Sequence, residues 1–381
     1  MKYSIFFLVV IMHTSCKTET KPTQNTPEVA QETAQETAQD ATFYVGTYTD
    51  KESKGIYKYS LSADGKLAKI GLAATTNNPS FLALSPDKKF LLTVNEVAEK
   101  NTGFVSSYQI EKDTLLFKNM SSSGGAHPCH VAINDKGYVL AANYSSGSVG
   151  LLQIDSAGKL TDLLDTQQHS GQGTTARQKG PHAHSAWFDE NTVIAVDLGT
   201  NELWFSSINT TTNTLDSLAP FRLPMAEGAG PRHLAQHPTK KMLYVLNELD
   251  NTITRVAKSA DGIYEKKQTI SSIPEDFKEP TKSADIHISE DGKFLYASNR
   301  GHDSIAIFSV HEDSGDLSLI GYESCRGENP RNFSLTPEGT YLIVANQDTN
   351  NLISFKRNAQ TGLLTFVSEI EAPTPVCILF N

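Results

Sequence analysis

The stretch SADIHISEDGKFLYASNRGHDSIAIF, at residues 283–308, holds three apolar segments separated by short polar turns. Each segment has the length of a β-strand and is too short for an amphipathic helix. The turns contain Asp, Gly and Lys, which favour tight hairpins. The stretch therefore predicts three consecutive antiparallel strands.

The middle segment of this stretch, FLYASNR, has counterparts throughout the chain and occurs in seven copies in all. One residue near the end of each copy marks the repeat: Gly46, Asn95, Asn143, Asp197, Asn247, Asn299 and Asn346. Successive markers are 47 to 54 residues apart. Each repeat also has a strand before this segment, a strand after it and a fourth strand that begins near a Gly-x-Leu sequence. Four strands per repeat and seven repeats predict an all-β protein, a seven-bladed β-propeller.

The two ends of the chain predict how the propeller closes. The first repeat begins at Thr42 without its inner strand, and the last residues, TPVCILF at 374–380, resemble the inner-strand sequence NPSFLAL at 78–84. We expect the C-terminal strand to complete the first blade, which leaves no open sheet edge in the ring. The predicted propeller domain is 42–381.

Composition restricts the partners. The formal net charge of -10 over 381 residues argues against nucleic acid. The four cysteines form no Cys-x-x-Cys pair, so we expect neither a zinc nor a redox motif. A small-molecule ligand and a monomeric state are the expectations.

The N-terminus has the pattern of an export signal. A charged start and a short apolar run precede Cys16, which resembles the lipidated cysteine of bacterial lipoproteins, although His13 stands where an aliphatic residue is usual. An ordinary secretory signal is the alternative. Residues 17–41 have almost no large apolar residues and predict a disordered linker. We therefore expect a signal peptide at 1–16, lipidation of Cys16 and a location in the cell envelope, periplasmic or attached to the outer membrane.

Three positions in each repeat should converge on one mouth of the central channel, because the first strand lines the channel and starts beside the end of the second. The later starting position holds Phe81, His130, His184, His233, Asp285, Asn332 and Cys377. The earlier one holds Ser80, Cys129, Ala183, Arg232, Ala284, Arg331 and Val376. The second strands end in Thr47, Glu96, Tyr144, Leu198, Glu248, Arg300 and Gln347.

The sequence GPHAHSAWF, at residues 180–188, adds a further imidazole. His182 and His184 are two residues apart, so in a regular strand both point to the same side. Propeller channels are commonly polar because they hold water, which alone explains a few such residues. Three imidazoles, three arginines and three carboxylates at these positions of one mouth instead indicate a functional site.

Three kinds of chemistry fit this set. Three histidines could hold a catalytic zinc, but the arginines would repel a dication. Ser185 or Ser283 could act as a nucleophile, but no Gly-x-Ser-x-Gly sequence is present. General-base hydrolysis of an anionic substrate fits better, because a neutral imidazole can take a proton from water while guanidiniums bind the anion and stabilise an oxyanion.

The chain resembles the seven-bladed propeller lactonases, typified by bacterial 6-phosphogluconolactonases, over 42–381. The resemblance rests on five long blocks, at 127–149, 180–203, 230–253, 283–308 and 329–352. A fungal carboxymuconate-lactonizing enzyme is similar in fold, so the resemblance alone allows opening or closing of a lactone.

The resemblance implies that the catalytic residues are His184, Arg232, Glu248 and Arg300, with His184 as the base. It is consistent with a second set of substrate-binding residues: His130, His182, His233, Asp285, Arg331, Asn332 and Gln347. We expect no cofactor and no metal.

The implied activity is hydrolysis of 6-phosphogluconolactone or a related aldonolactone. Because the phosphorylated lactone is a cytoplasmic compound and the chain has an export signal, an unphosphorylated sugar lactone is an alternative substrate. An envelope-anchored binding or scaffold propeller without catalysis and a metal-dependent lactonase are the alternative functions.

Overall fold

Twenty-eight β-strands form seven four-stranded antiparallel sheets in the computed structural model, which describes Phe6, residues 8–15 and residues 40–381. The sheets are the blades of a β-propeller, so the predicted fold is confirmed. No α-helix occurs in these residues, and none of them forms a helix that could cross a membrane. Cys16 and nearly all of the predicted linker lie outside the described residues, and their assignments stay predictions.

The first four blades contain β1 to β15 together with the last strand of the chain. Blade 1 comprises β1 (Ala41–Thr47), β2 (Gly55–Leu61), β3 (Leu67–Thr75) and β28 (Pro375–Phe380). Blade 2 comprises β4 (Leu82–Leu84), β5 (Phe90–Glu99), β6 (Thr102–Ile110) and β7 (Leu115–Ser122). Blade 3 comprises β8 (Pro128–Ile133), β9 (Tyr138–Asn143), β10 (Ser148–Gln153) and β11 (Asp165–Gln168). Blade 4 comprises β12 (Ala183–Asp189), β13 (Thr192–Asp197), β14 (Glu202–Asn209) and β15 (Thr214–Pro224).

The last three blades contain β16 to β27. Blade 5 comprises β16 (Pro231–Gln236), β17 (Met242–Asn247), β18 (Thr252–Lys258) and β19 (Tyr264–Ser271). Blade 6 comprises β20 (Lys282–Ile288), β21 (Phe294–Arg300), β22 (Ser304–Val310) and β23 (Leu317–Ser324). Blade 7 comprises β24 (Pro330–Leu335), β25 (Tyr341–Asn346), β26 (Asn351–Arg357) and β27 (Leu364–Glu371).

The C-terminal strand closes the ring as expected. β28 pairs with β1, with Ile378 opposite Val45, and the sheet order is β28-β1-β2-β3. The inner strand of blade 1 therefore comes from the opposite end of the chain, and Ile378 is 5% exposed.

The core is divided among the seven contacts between neighbouring blades, each of which buries its own apolar cluster. Between blades 1 and 7, for example, Phe43 and Tyr59 pack with Tyr341 and Ile343. Strands alternate the faces of their side chains, so the apolar residues of one blade reach both neighbours. These clusters bury apolar surface on both faces of each blade, which stabilises the packing of the blades around the channel.

A β-bulge near the start of the inner strand distinguishes six of the blades, since the pairing of first and second strands shifts there by one residue. The bulge interrupts the alternation of side chains and re-aims a residue. In blades 3, 4, 5 and 7 the bulged residues are Cys129, His184, Arg232 and Arg331. Four side chains at the channel mouth thus owe their direction to an irregularity in the sheet.

Candidate active site

A pocket of about 240 Å³ opens at the channel mouth where the bulges lie. Its size suits a single small ring compound better than an extended ligand. The residues that line it are Tyr48, Glu96, Cys129, Tyr144, Arg177, His184, Glu248, Lys282, Arg300 and Arg331.

The four residues proposed as catalytic meet at one carboxylate. His184, Glu248 and Arg300 line the pocket, and Arg232 is buried next to Glu248. Oε2 of Glu248 accepts a hydrogen bond from Nε of Arg232 at 3.1 Å and lies 3.0 Å from Nη2 of Arg300. Nε2 of His184 lies 4.0 Å from the same oxygen. The structure therefore brings together all four.

The electrostatics of Glu248 follow from these neighbours. Burial alone would raise the pKa of this carboxyl, but Arg300, Arg232 and Arg177 lower it to about 2. The third guanidinium reaches Oε1 from Nη2 of Arg177 at 3.4 Å. Glu248 is thus an anion, and both of its oxygens contact cationic side chains. It is therefore a weak base, and it fixes the positions of the arginines around it.

The imidazole of His184 is neutral. Burial and the nearby charge of Arg232 lower its pKa well below the ordinary value of 6.5. Its Nδ1 lies 3.7 Å from the thiol of Cys129, and its ring is nearly perpendicular to the ring of Tyr144 at 5.4 Å. A neutral imidazole near a carboxylate can accept a proton and then be stabilised as imidazolium.

Arg331 lies on another part of the wall, where it donates from Nη2 to the hydroxyl of Tyr48 at 2.7 Å. That hydroxyl in turn donates to Oε2 of Glu96 at 2.8 Å. Burial raises the pKa of Tyr48. The chain of hydrogen bonds keeps Arg331 charged and directed along the pocket wall.

The remaining predicted channel residues form a buried layer outside the pocket lining. Asp285 is its centre: Oδ1 lies 2.8 Å from Nδ1 of His233, and Oδ2 accepts from Nδ2 of Asn332 at 2.5 Å. Nε2 of His287 lies 3.0 Å from Oδ2. Burial and Arg232 lower the pKa of His233 to about 4, so its ring is neutral.

His130 belongs to the same layer and packs among aromatic rings. The ring centroids of Phe81 and Trp187 lie 4.3 and 4.6 Å from its own. Burial lowers its pKa well below the ordinary value. The lining of the pocket does not include His130, His233, Asp285 or Asn332. Their position therefore gives no support to the prediction that they contact substrate directly.

The alignment of blade 4 from sequence was wrong by one residue. Ser185 pairs with Val196 as His233 pairs with Leu246, so Ser185 occupies the position assigned to His184. His184 instead corresponds to Arg232. The reason is the spacing after the proline, because Ala183 pairs with Asp197 as Pro231 pairs with Asn247, and the proline of GPHAHS therefore lies two residues before the position that Pro231 has in blade 5.

His182 does not stand beside His184 in the pocket, contrary to the two-residue alternation. It precedes β12, its Nδ1 lies 2.9 Å from the carbonyl of Tyr144, and its ring stacks on the ring of Tyr144 at 4.5 Å. Gln347 follows β25 and lies outside the lining as well. Of the seven predicted substrate-binding residues, Arg331 alone lines the pocket.

Two cations of the lining were missed from sequence. Arg177 belongs to the segment between β11 and β12, where Gln178 is buried and donates to the carbonyl of Leu198 at 2.9 Å. This segment lies outside the repeats, so no repeat position pointed to it. Lys282 begins β20, immediately before the block that starts at Ser283.

The lining favours an anion. Four cationic side chains and two carboxylates line the pocket, and Arg232 adds a fifth cation beside Glu248. Guanidiniums bind carboxylate and phosphate groups through paired hydrogen bonds. Within Phe6, 8–15 and 40–381, no group of three or more His, Cys, Asp and Glu residues has a geometry that could hold a metal ion.

Known proteins are similar to this chain in both sequence and fold. The family model "Lactonase, 7-bladed beta-propeller" matches residues 42–380. The 6-phosphogluconolactonase of Bacillus subtilis is 38% identical over 345 residues, which cover 88% of this chain and 97% of that protein.

Two solved structures have the same architecture. A putative 6-phosphogluconolactonase of Bacteroides fragilis is 36% identical with a TM-score of 0.84, covering 91% of this chain and 99% of that one. The periplasmic gluconolactonase of Pseudomonas aeruginosa is 28% identical with a TM-score of 0.86, covering 90% and 99%. The chain belongs to the seven-bladed β-propeller lactonase family.

Proposed function

We propose that this protein hydrolyses the ring ester of a sugar lactone, an aldonolactone with or without a phosphate, in the pocket at the channel mouth. The observation that carries the proposal is the neutral imidazole of His184 with Nε2 4.0 Å from a carboxylate oxygen that two arginines hold. Lactone hydrolysis needs a base for water and a cation for the oxyanion, and little else.

In the proposed mechanism, Nε2 of His184 takes a proton from water as the water oxygen bonds to the lactone carbonyl carbon. The carbonyl oxygen becomes an oxyanion, which Arg300 and Arg331 stabilise because their guanidiniums line the pocket. The bond from carbon to the ring oxygen then breaks, and the imidazolium returns the proton to that oxygen. The product is the ring-opened sugar acid, and His184 is again neutral.

Glu248 acts on the other residues in this scheme. Its negative charge stabilises the imidazolium that forms on His184, and its two oxygens hold Arg232, Arg300 and Arg177. Because its pKa is about 2, it stays ionised throughout the reaction. We therefore assign proton transfer to His184 and electrostatic orientation to Glu248.

The relatives differ in whether their lactone carries a phosphate. The Bacillus subtilis relative is a 6-phosphogluconolactonase, whereas the Pseudomonas aeruginosa structure is a periplasmic gluconolactonase. Both substrates are lactones of gluconic acid, which supports an aldonolactone here. Because the sequence before Cys16 predicts an export signal, we also propose that the protein works in the cell envelope, held by a lipid on Cys16.

The experiment is proton release at neutral pH from gluconolactone and 6-phosphogluconolactone, with spontaneous opening subtracted. Acceleration that persists in EDTA is the expected result. Acceleration abolished by EDTA and restored by a divalent metal would favour a metal-dependent lactonase. No acceleration of either lactone would contradict the proposal and favour a binding propeller.

A further inference from the structure

The connection between blades 3 and 4, residues 169–182, is the longest of the connections between blades. It carries Arg177 to the wall of the active-site pocket. Nη2 of Arg177 donates to the hydroxyl of Tyr144 at 2.8 Å and to Oε1 of Glu248 at 3.4 Å. The side chain is 44% exposed, and an exposed arginine loses much rotamer freedom when it is held in one place. The position of Arg177 therefore depends on how the connection itself is held.

Both ends of the connection are fixed to Asp197, the last residue of β13. Nδ1 of His169 lies 2.7 Å from Oδ2 of Asp197, and the backbone N–H of His182 donates to Oδ1 at 2.8 Å. The corresponding residue is asparagine in blades 2, 3, 5, 6 and 7. A carboxylate suits blade 4 because both partners are donors, whereas an asparagine side chain would present an N–H group to one of them.

Gln178 fixes the middle of the connection, immediately after Arg177, and is completely buried. Its Nε2 donates to the carbonyl of Leu198 at 2.9 Å and to Oδ1 of Asn201 at 3.1 Å. Its Oε1 accepts from the backbone N–H of Thr175 at 3.2 Å. A primary amide offers two N–H donors and one acceptor oxygen, so this side chain uses both kinds of group at once. A carboxylate of the same size would place an oxygen against two acceptors.

The backbone of the connection wraps closely around this amide. The N–H of Gly173 donates to the carbonyl of Gln178 at 2.9 Å, and the N–H of Gln178 donates to the carbonyl of Thr175 at 3.0 Å. A Cβ at Gly173 would lie 2.6 Å from Cδ of Gln178. The connection thus has a packed interior of its own, with Gln178 at its centre.

Asn201 connects Gln178 to the backbone of Glu248. Oδ1 of Asn201 also accepts from the backbone N–H of Gly230 at 2.8 Å, and the carbonyl of Gly230 accepts from the backbone N–H of Glu248 at 2.7 Å. The guanidinium of Arg177 returns to Oε1 of the same glutamate. The contacts therefore form a closed circuit of hydrogen bonds through Arg177, Glu248, Gly230, Asn201 and Gln178. Members of such a network are coupled, because one cannot move without breaking a bond to the next.

We propose that Gln178 is a positioning residue for lactone hydrolysis, which acts through Arg177 by fixing its guanidinium against Glu248. This inference rests on the proposed function and adds a residue that does not line the pocket. When Arg177 moves, Oε1 of Glu248 loses its contact, and the carboxylate no longer holds Oε2 at 4.0 Å from Nε2 of His184. A misplacement of about 1 Å can lower a rate about 100-fold even when its cause lies far from the reacting atoms.

The kinetic test is a double-mutant cycle on the lactone that wild type opens faster. Gln178→Met keeps the length of the side chain and removes its hydrogen bonds, and Arg177→Ala removes the group that it positions. We expect kcat/KM to fall about 10-fold in each variant, mainly through kcat, and to fall less than about twofold further when the two changes are combined. Gln172→Met replaces an exposed glutamine of the same connection, and it should keep the wild-type rate.

A purely structural role of Gln178 gives a different result in this cycle. A loss that does not pass through Arg177 would multiply with the loss in Arg177→Ala, to about 100-fold in the combined variant. That result would overturn the inference while hydrolysis still stands. Wild-type kcat/KM in either Gln178→Met or Arg177→Ala would overturn it as well.

A measurement that needs no catalysis separates this inference from the proposed function. Trypsin cleaves after arginine, and mass spectrometry reports how fast the bond after Arg177 is cut in the folded protein. We expect cleavage about 10-fold faster in Gln178→Met than in wild type and Gln172→Met, because the freed connection opens locally. Equal cleavage rates would overturn the positioning role. A wild type that opens no lactone would overturn the proposed function, and the digestion would still decide whether Gln178 fixes Arg177.

Discussion

Nε of Arg232 donates a hydrogen bond to Oε2 of Glu248 across 3.1 Å, and the two side chains are only 3% and 4% exposed. A buried ion pair of this kind is sensitive to the loss of either partner, because the remaining charge has no water to solvate it. The same oxygen also faces Arg300 and His184. Glu248 therefore contributes both to the stability of the channel mouth and to the charge balance of the pocket.

Replacement of this carboxylate should affect both properties. Glu248→Gln keeps the shape but leaves three guanidiniums uncompensated, so we expect a loss of about 3 kcal/mol in unfolding free energy and a large fall in kcat/KM. Urea unfolding at neutral pH measures the first effect. Glu312→Gln, at an exposed turn far from the pocket residues, is the control and should unfold as wild type does. Wild-type stability in Glu248→Gln would contradict the assigned role.

The contribution of Glu248 to the free energy of unfolding should decrease at low pH. Its folded pKa, about 2, lies below its ordinary value of 4.5, so the contribution is complete above pH 4.5 and is lost as the pH falls toward 2. The shift corresponds to about 3 kcal/mol. The difference in unfolding free energy between wild type and Glu248→Gln should therefore be constant from neutral pH to 4.5 and shrink below it. A difference that already shrinks between pH 7 and 5 would contradict this assignment.

The pH dependence of hydrolysis should reflect the low pKa of His184. A base must be unprotonated to accept a proton from water. Burial lowers the pKa of His184 well below its ordinary value of 6.5, so the imidazole stays neutral at pH values below 6.5. We expect kcat/KM on the faster lactone to show no protonation step near pH 6.5 and to fall only at lower pH. Initial rates, corrected for spontaneous opening, give the profile. A clear half-maximal point at pH 6.5 would show that His184 titrates normally or that another base acts.

The layer below the pocket should matter for stability and for the position of Arg232. Nη1 of Arg232 lies 3.2 Å from Nε2 of His233, whose Nδ1 is held by Asp285. Asp285→Asn replaces a carboxylate oxygen that accepts a hydrogen bond from Asn332 with a group that cannot keep every such bond, and because His233 is neutral we expect a loss of about 1 to 3 kcal/mol in unfolding free energy. Asp313→Asn, at an exposed turn, serves as the control in urea unfolding. Equal stability of the two variants would show that Asp285 holds nothing in place.

Closure of the ring by β28 makes a further prediction. Deletion of residues 375–381 removes the inner strand of blade 1 and exposes the edge of β1 and the apolar surface that Ile378 covers. We expect the truncated protein to lose cooperative thermal unfolding and to aggregate. Deletion of Asn381 alone should leave the melting temperature unchanged. A truncated protein that melts like wild type would mean that the ring does not depend on this strand.

Much of the architecture could be predicted because it repeats. The markers from Gly46 to Asn346 recur with strand and turn signals at nearly constant spacing, so the number of blades and the closing strand follow from pattern alone. The mouth residues Glu248 and Arg300 could be placed for the same reason, since they end or directly follow regular second strands.

The errors lie where the repeat is irregular. In blade 4 the proline of GPHAHS lies two residues before the pairing position that a proline occupies in blades 3 and 5, so alignment of His184 with His130 and His233 by residue type shifted it by one position. Arg177 comes from a segment that no other blade has. Depth in the channel also depends on side-chain packing, which the sequence pattern does not carry, so the pattern did not indicate that Asp285 and Asn332 lie outside the pocket lining.

The assignment of His184 as the base is tested by the rate of lactone opening in His184→Ala, compared with wild type and with His311→Ala, which removes an exposed imidazole at a turn of blade 6. Proton release at neutral pH on the faster lactone is the measurement, with circular dichroism to confirm the fold. We expect a loss of about 10²- to 10⁴-fold in His184→Ala and no loss in His311→Ala. A folded His184→Ala that opens the lactone as fast as wild type would contradict the central claim that this imidazole is the base.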